Sequence, residues 1–144
     1  MKTAELYDID LAQWAEENVE LLRSGRFAEA DIQHVAEDIE GWAKNERRSL
    51  HSRFMRLIEH LLKWQFQPEP RGRSGEFTTV DQRRGIKRLL KQNPSFRPTI
   101  STVIAEAHDD AVARLMVIIR RPKKDFPETY PDTTDQLLDE DFLP

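Results

Sequence analysis

The sequence contains no cysteine, which excludes a disulfide framework, a thiolate metal site and a cysteine nucleophile. It also has no apolar run long enough to span a bilayer, and its first ten residues do not follow the pattern of a signal peptide. We find no Ser/His/Asp constellation, no P-loop and no glycine-rich phosphate cradle. These absences predict a cytoplasmic protein without a membrane segment, and they weaken the enzyme hypotheses without excluding them.

The chain is polar and has the length of one domain. Of its 144 residues, 38% are hydrophobic and 33% charged, which is polar for a globular protein but too apolar for general disorder. The net charge of −4 is unevenly spread: residues 1–43 carry 3 basic and 11 acidic residues, whereas residues 44–88 carry 12 and 5. Segments of opposite sign predict neutralisation within the fold or across a dimer.

Hydrophobic periodicity predicts one long amphipathic helix over residues 31–67. Asp31 is suited to its N-cap, and Pro68 ends it. Shorter helices are predicted over about residues 10–24, 80–93 and 98–121. Asp8 or Asp10 can cap the first of them and Gly25 ends it, while a capping box at Thr79 and Gln82 opens the helix at 80–93, the third along the chain. The stripe of the long helix consists of Ile32, Val35, Ile39, Trp42, Leu50, Phe54, Leu57, Leu61 and Trp64.

These patterns together predict an all-α fold. We expect a single-domain bundle of about four helices around one long central helix, occupying residues 1–144. Residues 1–121 would form the bundle. Residues 122–144, with their repeated prolines, would form an extended tail that packs back and ends in a short helix near Thr134.

A combination of short segments runs through nearly the whole chain. It comprises AEDIE at 36–40, ERR at 46–48, HLLKW at 60–64 with QP at 67–68, FP at 126–127, QLLD at 136–139 and FLP at 142–144. In this combination the chain resembles a bacterial family of uncharacterised proteins, the domain of unknown function 29 family. The resemblance implies an all-helical cytosolic protein and supplies no activity.

The stripe of the long helix has one polar interruption, at Glu46. An unpaired buried carboxylate is costly, so we expect Glu46 to meet a cation or backbone donors, to lie in a wet functional cleft, or to be exposed by a break in the helix. Arg53 lies near the edge of the same stripe, and His60 flanks the stripe one turn before Trp64. His60 is either a structural histidine or an acid–base group in a groove.

A metal site is the weaker possibility on this helix. Glu37 and Glu40 lie one turn apart, as do His34 and Asp38, and His108 with its two following aspartates is a further source of ligands. The Glu-x-x-His and His-Glu-x-x-His arrangements are absent, and acidic residues near a helix N-terminus are favoured without any metal. We therefore predict no metal and no other cofactor.

A cluster of basic residues in the third predicted helix, and in the loop before it, suggests a second function. They are Arg71, Arg73, Arg83, Arg84, Lys87 and Arg88. A surface that binds phosphate backbones needs such a cluster. Against it, the pI is about 5.6 and no nucleic-acid motif is present, so nucleic acid is an alternative partner that is not favoured.

The function predicted from sequence is therefore a non-catalytic protein-interaction or regulatory module. It would bind an unknown protein partner through helix faces or the tail, with homodimerisation as one form of that interaction. Nucleic-acid binding by the basic loop and third helix is the first alternative. A metal-dependent hydrolase that uses Glu and His side chains is the second.

Overall fold

The computed structural model describes residues 3–66 and 73–144, with the side chains of residues 73–75 left out. Within these ranges the chain forms six α-helices and two 3-10 helices, and no β-strand. The α-helices are α1 (Thr3–Ile9), α2 (Leu11–Arg23), α3 (Ile32–Phe66), α4 (Arg73–Gln92), α5 (Ile100–Ile118) and α6 (Thr134–Leu138). The 3-10 helices are Pro94–Thr99 and Lys123–Asp125. The predicted all-α fold with one long helix is confirmed.

Contacts within the chain divide it into two compact units. Unit 1 comprises Met1–Asn45 and unit 2 comprises Glu46–Pro144, and helix α3 contributes residues to both. The expectation of a single domain over residues 1–144 stays a prediction. None of the helices in the described ranges is both long and apolar enough to cross a membrane.

Helix α2 has the ends that its sequence predicts. The side chain of Asp10 accepts a hydrogen bond from the backbone N–H of Gln13 at 3.0 Å, which satisfies one free donor of the first turn. After the helix, Gly25 adopts a φ of 74°, a left-handed conformation that glycine reaches without strain. The α2–α3 connection therefore begins where composition places it.

Two segments predicted to be irregular are helical. The residues before the first predicted helix contain α1, and α4 begins at Arg73, ahead of its predicted start near residue 80. Thr79 is consequently not a cap but a buried residue of α4, and its hydroxyl donates to the backbone carbonyl of Glu76 at 2.8 Å. Prolines and glycines of the preceding segment made the start of α4 look later than it is.

Unit 2 is built around the second half of the long stripe. Leu50, Phe54 and Leu57 are fully buried, and residues of α4 and α5 complete one core cluster with them. The C-terminal tail enters the same cluster through Phe126 and Leu137. The predicted return of the tail onto the bundle is thereby confirmed.

Helix α6 is held at both ends. At its start, Thr133 and Gln136 form a capping box, one residue earlier than the sequence predicted. At its end, the guanidinium of Arg83 donates to the carbonyl oxygen of Leu137 at 2.7 Å, and to those of Gln136 and Glu140 at 3.5 Å. A buried cation on α4 therefore satisfies the free carbonyls of α6, which is where a helix favours positive charge.

Candidate functional site

The carboxylate of Asp31 organises the start of α3 in unit 1. One of its oxygens accepts from the indole N–H of Trp14 at 2.9 Å and lies 2.5 Å from Nδ1 of His34. The backbone N–H of Asp31 donates to the side chain of Asn18 at 2.7 Å. Because Trp14, Asn18 and Asp31 are all buried, this network joins α2 to the first turn of α3.

Tyr7 of α1 extends this network along α3. Its ring stacks on the imidazole of His34 with 3.9 Å between centroids, and its hydroxyl donates to Asp38 at 2.8 Å, which raises the pKa of Tyr7. Burial alone would raise the pKa of Asp31, but hydrogen bonds from Trp14 and His34 outweigh it and lower that pKa. The hydrogen bond to Asp31 in turn raises the pKa of His34 above 6.5.

These bonds account for the residues that resembled a metal-binding face. His34 and Asp38 are engaged with Asp31 and Tyr7, while Glu37 and Glu40 are exposed. Glu40 accepts from Lys44 at 2.8 Å, an ordinary surface pair one turn apart. Over residues 3–66 and 73–144, no group of three or more His, Asp or Glu side chains is placed to hold a metal ion.

The raised pKa of His34 predicts a pH dependence of stability. A histidine whose pKa is higher in the folded than in the unfolded state stabilises the folded protein. This contribution is fully present below the unfolded pKa of 6.5 and is lost as pH rises through the folded pKa. We therefore expect the urea midpoint of unit 1, followed by the environment of the buried Trp14, to fall as pH rises above 6.5. The carboxylates that favour the imidazolium are Asp31, Glu37 and Asp8.

The control for this measurement is His34→Gln, which removes the titrating group. The other perturbed histidines, His60 and His108, lie in unit 2 and act in the opposite direction near pH 6.5, because burial lowers their folded pKa values below that of the unfolded state. They do so in both proteins, so the difference between the two midpoints isolates His34. The fall in midpoint should vanish in His34→Gln. A midpoint that falls equally in both proteins would contradict the assignment to His34.

Helix α3 exposes a second face in unit 1. Ile32, Ile39 and Trp42 are 49%, 54% and 68% exposed. At about 100° per residue they lie within about 80° of one another and about 100° from the face of His34 and Asp38, which contacts α1 and α2. The sequence assigned them to one packing stripe with Leu50 and Phe54, but only the second half of that stripe is buried. We call Ile32, Ile39 and Trp42 the apolar face.

An open groove lies beside Ile32 in the same unit. Its volume is about 870 Å³, and its lining includes Glu17, Glu20, Glu29, Leu21 and Ile32. Glu29 forms an exposed pair with Arg26 at 2.6 Å. Among the described residues that line the groove, Arg26 is the one cation, beside three further carboxylates on Glu17, Glu20 and Asp31. We call this the acidic groove. It meets the apolar face at Ile32.

In unit 2, the polar residues singled out by the sequence take part in the packing. Half-buried Glu46 accepts from the side-chain amide of Asn93 at 3.0 Å, so its partner is an amide rather than the cation or backbone donor that was expected. Arg53 donates to Gln82 at 3.3 Å, and its guanidinium lies against Gly85, where a Cβ atom would overlap it. The glycine in α4 therefore makes room for an arginine side chain.

His60 and Trp64 are half-buried on the last turns of α3. Burial lowers the pKa of His60, which leaves its imidazole neutral near pH 7. Sequence separation along one helix keeps His60 away from Glu46, about 21 Å at 1.5 Å per residue. The candidates of the long helix therefore do not converge on one catalytic centre.

The basic cluster divides into parts with different surroundings. Arg71 lies outside the described residues, and so does the side chain of Arg73. Arg83 is fully buried against α6 and has no exposed atom to offer a phosphate, which corrects its assignment as a contact. Arg84, Lys87 and Arg88 are exposed, and Arg84 contacts Glu140 at 3.2 Å. Nucleic-acid binding through α4 stays a prediction.

Sequence reasoning missed two features of these sites. The exposure of Trp42 could not be predicted, because hydrophobic periodicity identifies an apolar helix face but does not show whether another element covers it. The burial of His108 could have been predicted, because His108 lies four residues from both Ile104 and Val112, on the apolar side of α5.

A family model described as "Domain of unknown function DUF29" matches residues 6–143. Neither the curated proteins nor the solved structures gave a match.

Proposed function

Since the chain belongs to the family Domain of unknown function DUF29, whose description assigns no activity, we propose a function from its surface: it is a non-catalytic interaction module. Unit 1 binds a helix of a partner protein on the apolar face and in the acidic groove. The single observation that carries the proposal is the exposure of Ile32, Ile39 and Trp42 on one side of α3.

The apolar face has the composition of a binding surface. Contiguous apolar patches on a monomer commonly mark interaction sites, and tryptophan is among the residues that contribute most to binding free energy. Trp42 is 68% exposed, so a partner would remove a large aromatic surface from water. The spacing of Ile32, Ile39 and Trp42 along α3 matches that of a helix that pairs with another helix.

Charge defines the chemistry of the partner. Residues 1–45 carry 4 basic and 11 acidic residues, a net charge of −7. Like charge opposes the pairing of two such surfaces, whereas lysines and arginines beside an apolar stripe would complement it. The proposed partner is therefore an amphipathic helix whose apolar stripe is flanked by basic residues.

A pair of synthetic helical peptides tests the proposal. Both carry the same leucine stripe, one with lysine flanks and one with glutamate flanks. We expect the lysine peptide to bind and to shift Trp42 fluorescence to shorter wavelength as the indole leaves water. Trp42→Ala should weaken binding about 30-fold, as expected for an interface residue worth about 2 kcal/mol, and Trp42→Phe should weaken it less.

Phe77→Ala is the matched control, because Phe77 is 74% exposed on α4 of unit 2. Its affinity for the lysine peptide should equal that of the unchanged protein. Equal binding of both peptides, or unchanged binding by Trp42→Ala, would overturn the proposal. Self-association that is lost in Trp42→Ala, without peptide binding, would identify the occupant as a second copy of this chain.

A further inference from the structure

His108 of α5 is a buried polar side chain without a hydrogen-bond partner among the described residues. It is 2% exposed, and neither ring nitrogen has a hydrogen-bond partner in the part of the chain that the structure describes. The nearest carboxylate oxygen, on Asp109, lies 3.8 Å from Nδ1, beyond hydrogen-bond reach. The ring of Tyr130 approaches edge-on at 6.5 Å between centroids, and its hydroxyl is likewise buried without a hydrogen-bond partner among the described residues. Buried polar groups are rarely left unpaired, so an unpaired imidazole calls for an explanation.

His108 lines a pocket between α5 and the tail. The pocket has a volume of about 260 Å³, far more than the roughly 15 Å³ that one water needs. Its apolar lining comes from Val112, Met116 and Pro127. A space of this size, just below the range of drug-sized ligands, suits a small molecule with an apolar body.

The polar groups of the pocket carry both signs of charge. Lys123 lines it together with the carboxylates of Asp109 and Glu128, and all three are exposed to solvent. Burial lowers the pKa of His108, so its imidazole is neutral near pH 7, with one nitrogen able to donate and the other to accept. The pocket thus presents an apolar surface, a neutral imidazole, a cation and two carboxylates.

We propose that this pocket binds a small zwitterion, a free amino acid with an aliphatic side chain. The side chain packs against Val112, Met116 and Pro127. The ligand carboxylate faces Lys123, and its ammonium faces the two carboxylates. Both nitrogens of His108 are shielded from solvent in this structure, so the imidazole turns toward the pocket to pair with a polar group of the ligand. The site lies within unit 2 and is independent of the interaction surface proposed for unit 1.

The test follows the imidazole signals of His108 by NMR while the protein is titrated with leucine, valine or methionine up to about 10 mM. Two analogues of leucine separate its charges: leucinamide lacks the carboxylate, and 4-methylpentanoate lacks the ammonium. We expect a saturable shift of the His108 signals with at least one of the three amino acids. Leucinamide and 4-methylpentanoate should each bind about tenfold more weakly than leucine. His51, which pairs with Asp110 at 2.7 Å at the surface, serves as the internal control and should not shift.

A substitution at the exposed Lys123 tests the site without disturbing the core. Lys123→Ala should weaken leucine binding about fivefold and leave leucinamide binding unchanged, because only leucine carries a carboxylate. The proposal is overturned if His108 shows no saturable shift with any of the three amino acids. It is also overturned if leucine and both analogues bind equally, or if Lys123→Ala binds leucine as the unchanged protein does.

Discussion

Replacement of Phe54 by alanine is expected to lower the free energy of unfolding by about 3–5 kcal/mol. Phe54 is fully buried in α3, among the apolar residues that form the core of unit 2. Its truncation removes buried apolar surface and leaves a cavity that the packed neighbours fill only in part. Urea denaturation followed by far-ultraviolet circular dichroism measures the effect.

Phe77→Ala is the control for this substitution, since it removes the same side chain from a position that is 74% exposed. Its effect on the free energy of unfolding should lie within about 0.5 kcal/mol. Equal losses for the two variants would show that Phe54 is not at the centre of a packed core.

Arg83→Ala is expected to cost about 3 kcal/mol and to release the C-terminal tail. The guanidinium supplies donors to the carbonyls of Gln136, Leu137 and Glu140, and hydrogen bonds from a charged donor are each worth about 1.5–3 kcal/mol. Without it those carbonyls lose the charged donor, although that of Gln136 keeps the backbone N–H of Asp139. Urea denaturation should report the lost stability, and limited proteolysis should cleave the tail earlier.

The neighbouring Arg84→Ala provides the comparison for Arg83. Arg84 is 71% exposed on its side chain and contacts the carboxylate of Glu140 at 3.2 Å. Exposed pairs of this kind contribute about 0–1 kcal/mol, so its loss should change stability little and leave proteolysis of the tail as it was. If Arg83→Ala behaved like Arg84→Ala, the guanidinium would not be what holds α6.

The proposed interaction surface can be tested separately from stability because its residues lie outside the core. Trp42 contributes an exposed ring, whereas Trp14 is buried and bonded to Asp31. Substitution of Trp42 should therefore affect binding far more than unfolding, and substitution of Trp14 should do the reverse. The two tryptophans of unit 1 thus distinguish a binding residue from a structural one.

Much of the fold was predictable from local patterns. The spacing of Leu50, Phe54 and Leu57 predicts a buried helix face, and Asp10 with Gly25 predicts both ends of α2. The start of α4 was not predictable in the same way, because the residues just before it are those that usually interrupt helices. Its true beginning at Arg73 follows from packing that no local preference records.

The candidate sites were less predictable than the helices. Glu46 was recognisable as an interruption of the stripe, but its partner, Asn93, lies 47 residues away along the chain. Likewise, the sequence could place His108 on the apolar side of α5 but could not show that its nitrogens lack hydrogen-bond partners in residues 3–66 and 73–144. Such properties depend on which distant segments surround a side chain.

The sequence by itself determined the helical class, the amphipathic period of α3 and the separation of charge between its segments, because each is a local property of residue order. Only the tertiary structure decided which of two similar residues is buried and which is exposed. Arg83 is buried and Arg84 exposed although they are adjacent, and Phe54 is buried while Ile39 on the same stripe is not. The physical reason is that periodicity defines a face, whereas burial requires a second element to cover it, and that element comes from elsewhere in the chain.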